Sequence, residues 1–99
     1  MLNIEKKINA TAMTMCISGR LDTTTAPQLE EELNSHFDNI TEIVMDIEHL
    51  EYISSAGLRV ILSVQKMMNK QGNLVIKHVR SEIMEIFEIT GFVDILNIE

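Results

Sequence analysis

The feature that most constrains this chain is a dense apolar run, Ile43-Val44-Met45-Asp46-Ile47, that leads on to Tyr52-Ile53-Ser54-Ser55-Ala56-Gly57-Leu58-Arg59. The run suits a buried strand, and the apolar spacing from Leu58 to Met68 suits a helix. A strand therefore passes through a short turn into a helix start occupied by two serines, a small residue and a glycine. The first N–H groups of a helix have no partner inside it and carry partial positive charge. Ser54 is predicted as the N-cap and Ser55 as the first helical residue, its hydroxyl turned outward. A phosphate on Ser55 would be stabilised by the same N–H groups. Ala56 and Gly57 keep side-chain bulk low, so another molecule can approach the backbone. Taken alone, the octapeptide is more simply a well-capped turn.

Strands and helices alternate around this junction. Residues 2–8 alternate partly and carry lysines, as an edge strand does. Residues 12–18 alternate more cleanly, with Asn9-Ala10-Thr11 as the hairpin turn and Gly19 as the end. Leu21-Asp22 leads into Thr23-Thr24-Thr25-Ala26-Pro27-Gln28, where Thr25 and Gln28 have capping-box spacing and the proline falls in the first helical turn. Leu29, Leu33 and Phe37 stripe one side of that helix, while Glu30, Glu31, Glu32 and Asn34 face water. Residues 42–48 are predicted as a central strand because both faces carry apolar side chains. Leu50, Tyr52 and Ile53 then anchor the loop that follows. The second helix covers residues 55–70, with Leu58, Ile61, Leu62, Gln65 and Met68 on one stripe and Val60, Val64 and Met67 on its neighbour. An apolar arc this wide calls for a third covering element or for a partner. Gly72 stops the helix and residues 73–79 form a strand. Ser81 caps a third helix that buries Ile83, Ile86 and Phe87 and ends at Gly91, and residues 94–98 form a last strand. The order β-β-α-β-α-β-α-β within one domain, residues 1–99, predicts an α/β fold with a small mixed sheet packed with helices. Its crossover-linked strands should be parallel and its opening hairpin antiparallel.

Charge and composition exclude several functions. Fifteen acidic residues against eight basic ones, a net charge of −7, leave no basic patch to neutralise nucleic-acid phosphates. The single cysteine, Cys16, has no internal disulfide partner and is predicted as a small buried residue. No apolar run approaches the roughly 20 residues that span a bilayer. The N-terminus lacks the pattern of a signal peptide. A cytoplasmic protein with no membrane insertion is expected, monomeric at this size. His36, His49 and His78 fall on different elements without metal-ligand spacing. No glycine-rich phosphate loop or nucleophile elbow is present. No metal, no cofactor and no enzyme activity are expected.

Residues 43–58 resemble the signature of STAS domains, specifically of bacterial anti-sigma factor antagonists. Gly19-Arg20-Leu21-Asp22 followed by threonines resembles that family's step into its first helix. Gly72-Asn73-Leu74 is similar to its next strand start, and Phe87-Glu88-Ile89-Thr90-Gly91-Phe92 to its last helix end, so the likeness covers nearly the whole chain. The resemblance implies a protein that binds an anti-sigma factor, itself a serine kinase of the histidine-kinase-like ATPase fold, and thereby releases a sigma factor. It implies inactivation by phosphorylation at Ser55, with Ser54 the second choice, and restoration by a PP2C-type phosphatase. It places partner contacts on Asp22, Thr23, Thr24, Ser54, Ser55, Ala56, Gly57, Leu58 and Arg59. This chain departs from the family pattern in having Ser54 at its aspartate position, and Ala56 where many members have Ser or Thr. With so little sequence after the last predicted strand, the C-terminal helix common in the family is not expected within residues 1–99. The missing aspartate motivates an alternative, a non-switching STAS adaptor subunit of a lipid or anion transport system. A nucleotide hydrolase is a third reading, which ATP or GTP binding by the isolated domain would be needed to support.

Overall fold

The computed structural model describes residues 2–34 and 39–99. Its elements in order are β1 (Leu2–Asn9), β2 (Ala12–Leu21), α1 (Ala26–Asn34), β3 (Glu42–Ile53), α2 (Ser55–Gln71), β4 (Asn73–Lys77) and α3 (Ser81–Thr90), then a 3-10 turn at Phe92–Asp94. Four strands form one mixed sheet in the order β1-β2-β3-β4. The hairpin β1–β2 is antiparallel, and β2–β3 and β3–β4 are parallel, as the helices between them require.

Register decides which residues face inward. Met13 lies beside Ile43 and Ile43 beside Leu74; Met15 lies beside Met45 and Met45 beside Ile76. All six are buried, and with Leu29, Leu33, Ile61, Met68 and Phe87 they make one continuous core. The next residue on each strand points the other way. Thr14, Cys16, Val44, Asp46, Val75 and Lys77 therefore lie on the second face, where each is exposed or half-buried. The molecule has two layers, with the helices covering one sheet face. This overturns two expectations. β3 is not buried on both faces, because Val44 alternates with Met45 onto the open side. Cys16 is exposed, because Met13, Met15 and Ile17 take the inward positions of β2.

β3 runs on to Ile53, five residues beyond the strand expected over 42–48. Its buried residues are Ile43, Met45 and Ile47, then Leu50 and Ile53, so the two-residue alternation breaks near position 48. The pairing with β2 shifts register at the same place, between Cys16 and Ser18, and again between Gly19 and Arg20. Gly19 has φ of +94° there, a left-handed conformation that suits glycine. The irregularity hides the second half of both strands from a period-2 pattern and carries them past 18 and 48 to Leu21 and Ile53.

At the other end of the sheet, β4 stops at Lys77 instead of residue 79, where His78 turns left-handed with φ of +59°. α3 begins after Arg80, so Ser81 is its first helical residue and not its cap. The Ser81 hydroxyl instead donates to Glu82 Oε1 at 2.9 Å. Ile83 and Phe87 are buried as expected, and Ile86 is half-buried. The strand expected over 94–98 does not form. After Gly91 the chain winds through two more turns, with the Asp94 N–H on the Gly91 carbonyl and the Ile95 and Leu96 N–H groups on that of Phe92. The chain end meets β4 only as a single parallel bridge of Ile98 to Ile76, in which the Ile76 N–H donates to the Asn97 carbonyl and the Glu99 N–H to the Ile76 carbonyl, each at 2.9 Å.

The wide apolar arc of α2 is covered largely by α1, which packs against it. Val60 and Val64 are buried, and Met67 stays 40% exposed at the rim. Phe37, assigned to the stripe of α1, lies outside the described residues.

Gly72 sits where α2 meets β3's first residues. A Cβ there would lie 1.7 Å from the Thr41 carbonyl oxygen, which accepts the Asn73 N–H. That neighbour is backbone and cannot rotate aside. Gly72→Ala should cost at least about 2 kcal/mol and about 10 °C in Tm, measured by thermal unfolding. An unchanged Tm would show that this junction is looser than it looks.

Candidate functional site

The parallel strands β2 and β3 end side by side, and the loops leaving them form the candidate site. Leu21 pairs with Ile53 across the two strand ends. The Ser54 N–H donates to the Leu21 carbonyl at 2.9 Å, which ties the β3–α2 turn to the end of β2. Leu21 is fully buried, and its Cγ lies 2.7 Å from where a Cβ on Gly57 would be. The close approach that Gly57 permits is therefore internal, against Leu21 and Ile53. Leu58 is buried beside it and donates its N–H to the Ser54 carbonyl.

The two serines differ. Ser54 is extended, with φ −98° and ψ 175°, and caps α2 by accepting the Gly57 N–H on Oγ at 3.4 Å. Ser55 is the first residue of α2 and is exposed, and its hydroxyl has no partner among the described residues. The N–H groups of the first turn, short of intrahelical acceptors, lie beneath it. Ala56 is half-buried, and Arg59, one turn on, is exposed with no ion pair among the described residues.

The second loop, residues 22–25, is built around the Asp22 carboxylate. Oδ1 accepts the Thr24 hydroxyl at 2.7 Å, the Thr24 N–H at 3.0 Å and the Thr25 N–H at 3.2 Å. The Thr25 hydroxyl donates to the Arg20 carbonyl and accepts the Asp22 N–H, each at 2.8 Å. The capping box expected between Thr25 and Gln28 does not form. Asp22 already accepts the Thr25 N–H, the Gln28 N–H donates to the Thr25 carbonyl, the Thr25 hydroxyl is turned back to close the loop, and the Gln28 side-chain amide reaches the Leu2 carbonyl instead. Thr23 is exposed at the tip.

Arg20 and Tyr52 were not among the residues the sequence assigned to the site. They are register partners on β2 and β3, and the Arg20 guanidinium lies 4.3 Å from the centre of the Tyr52 ring. Arg20 Nε is also 3.8 Å from Asp22 Oδ2. Tyr52, expected to anchor a loop, is instead an exposed strand residue whose ring supports a cation. No local spacing connects positions 20 and 52; only the parallel pairing does.

The histidines lie elsewhere. His49 is exposed with Glu48 3.3 Å away, the His78 ring meets Asp46 at 3.0 Å on the open sheet face, and His36 lies outside the described residues. Partial burial opposes ionisation of Asp46, yet the Glu48 N–H and the His78 ring together hold its carboxyl below the usual range. No helix among the described residues is long and apolar enough to cross a membrane.

A small mixed sheet with helices on one face, and a serine-bearing helix start at the paired ends of its parallel strands, defines a class of domain that comparison with known proteins identifies. The STAS domain model matches residues 3–99, and the chain belongs to that family, within its anti-sigma factor antagonists. It is 43% identical over 82 residues to the anti-sigma factor antagonist BtrV of Bordetella bronchiseptica, covering 81% of this chain and 71% of that protein. It is 30% identical over 98 residues to the anti-sigma-B factor antagonist of Bacillus subtilis, covering 98% of this chain and 90% of that one. Among solved structures, the Bacillus cell fate determinant SpoIIAA in its phosphorylated form superimposes with a TM-score of 0.76 at 15% identity, covering all of this chain and 91% of that one.

The Asp22 cluster has a pH consequence. Donation from the Thr24 hydroxyl, reinforced by the Thr24 and Thr25 N–H groups, holds the Asp22 carboxyl below its ordinary value. A folded-state pKa lowered in this way gives a contribution present above the unfolded value, about 3.9, and lost as pH falls through the folded one. A carboxyl-carbon NMR titration should place the Asp22 midpoint below that of an ordinary aspartate. Asp22→Ala should speed hydrogen exchange at the Thr24 and Thr25 amides. An ordinary midpoint with unchanged exchange would mean that the cluster is not formed in solution.

Proposed function

We propose that this protein is an anti-sigma factor antagonist that binds an anti-sigma serine kinase of the histidine-kinase-like ATPase fold, and that phosphorylation of Ser55 ends the binding. The observation that carries this is the division of labour between the serines: Ser54 Oγ holds the helix cap, and Ser55 Oγ is exposed and unengaged. Unmodified protein would release the sigma factor by occupying its inhibitor, and a PP2C-type phosphatase would restore the binding form. The contact surface in this proposal combines Asp22, Thr23 and Thr24 with Ser54, Ser55, Ala56 and Arg59. Buried Gly57 and Leu58 shape it from beneath.

A phosphate on Ser55 adds about −1.5 to −2 charges. In the free protein that charge sits at the positive end of a helix, worth about 0.3–1 kcal/mol in its favour. Against a docked partner the same group is a bulky, desolvated dianion, and an uncompensated buried charge costs several kcal/mol. The binding effect outweighs the folding effect, so the modification acts as a switch of affinity. Ser54 in the family's aspartate position favours the second reading, a non-switching adaptor of a transport system, because the acidic neighbour of the modified serine is gone.

Incubation with a cognate anti-sigma kinase and labelled ATP tests the choice. Wild type and Ser54→Ala should incorporate phosphate and Ser55→Ala should not, while Ser55→Ala still binds the kinase. Ser54→Ala should lose about 1 kcal/mol of stability with its cap. Phosphate on Ser55→Ala would move the site, and no phosphorylation of any variant would favour the adaptor.

A further inference from the structure

Six large apolar side chains are exposed among the described residues, and three of them, Ile89, Val93 and Ile95, fall in one short stretch at the end of α3. Ile89 is the most exposed of the six, at 82%. The three fall within seven residues that run from the last turn of α3 through consecutive hydrogen-bonded turns, and Phe87 and Leu96, which flank them, are buried. Scattered exposed apolar residues need no explanation, but a cluster marks an interaction surface.

The charge around the cluster has one sign. From Ser81 to Glu99 the sequence contains no Lys, Arg or His. Glu82 and Glu99 are matched by Arg80 and Lys77, but Glu85, Glu88 and Asp94 have no ion pair among the described residues. α3 has no basic residue in its last turn, so its carbonyl end, where cations are favoured, has acidic neighbours instead. That arrangement is mildly unfavourable within the chain and would be relieved by positive charge brought from outside.

We infer that the α3 C-terminal patch, Ile89, Val93 and Ile95 rimmed by Glu85, Glu88 and Asp94, docks a basic amphipathic helix of a protein partner. Apolar side chains of that helix cover the three aliphatic residues, and its lysines or arginines meet the rim and the helix end. A second copy of this chain would set carboxylates against carboxylates, and an anionic membrane would be repelled by the same rim. The surface is separate from the serine-bearing turn, so this inference stands or falls independently of the phosphorylation switch.

The test is an amide NMR titration of the full chain with a short designed helix of leucine and lysine, apolar along one face. The same helix with glutamate in place of lysine serves as control. Shifts should centre on residues 85–96 with the lysine peptide and be absent with the glutamate peptide. Ile89→Ser, at a solvent-exposed position, should weaken binding about tenfold, and Ile8→Ser, an exposed apolar change on β1, should not. Glu85→Gln with Glu88→Gln should weaken binding and flatten its salt dependence. Shifts centred on Glu30–Glu32 of α1, or equal binding by Ile89→Ser and wild type, would overturn the inference. So would self-association without peptide that Ile89→Ser abolishes, which would assign the patch to a second copy.

Discussion

Everything at the candidate site depends on how Leu21 ends β2. Its carbonyl holds the Ser54 N–H, and its buried side chain occupies the space that a side chain at Gly57 would need. Through these contacts one residue fixes the height at which α2 starts relative to the loop of residues 22–25. Without it, Ser55 would sit on a turn free to move against Asp22 and the threonines. The core beneath, from Met13 to Phe87, supplies the rigidity, and Leu21 transmits it to the surface.

Under the proposed function, this division is what would let a charged modification change affinity and leave the fold intact. Ser54 satisfies the cap from within, so the folded state makes no demand on the Ser55 hydroxyl. The helix start is already suited to negative charge. In that proposal, what a phosphate would disturb lies outside the molecule, at the surface a partner would cover. The Asp22 carboxylate, saturated by threonine donors, keeps the adjoining loop in one shape, and the Arg20–Tyr52 stack braces its other side.

Much of this was legible in the sequence, and the failures have identifiable causes. The junction from Ile43 to Leu58, the two serines' different roles, the mixed sheet and the helix α2 all follow from periodicity and capping rules, which act over a few residues. Strand ends were missed where register shifts at Gly19 and near Glu48 break the alternation. Cys16 and Val44 were assigned to the interior because an apolar residue on a strand carries no mark of which face the helices will cover. The Thr25–Gln28 box failed because Asp22, three residues earlier, accepts the Thr25 N–H and the Gln28 N–H goes to the Thr25 carbonyl. The last strand failed because, past the left-handed Gly91, local turns held residues 92–96 in place of the sheet. Arg20 and Tyr52 meet only through pairing between distant strands, which no local pattern announces. The STAS resemblance compensated for part of this by covering the chain as a whole.

The most direct measurement is a parallel one on protein carrying phosphate at Ser55 alone: Tm by thermal unfolding and Kd for the anti-sigma partner by calorimetry. If phosphate acts on binding and not against folding, Tm should hold or rise, by no more than about 8 °C. Affinity should fall at least about a hundredfold. A large drop in Tm would contradict this account by showing that the modification acts by unfolding the helix start. An unchanged Kd would show that Ser55 lies outside the partner's footprint.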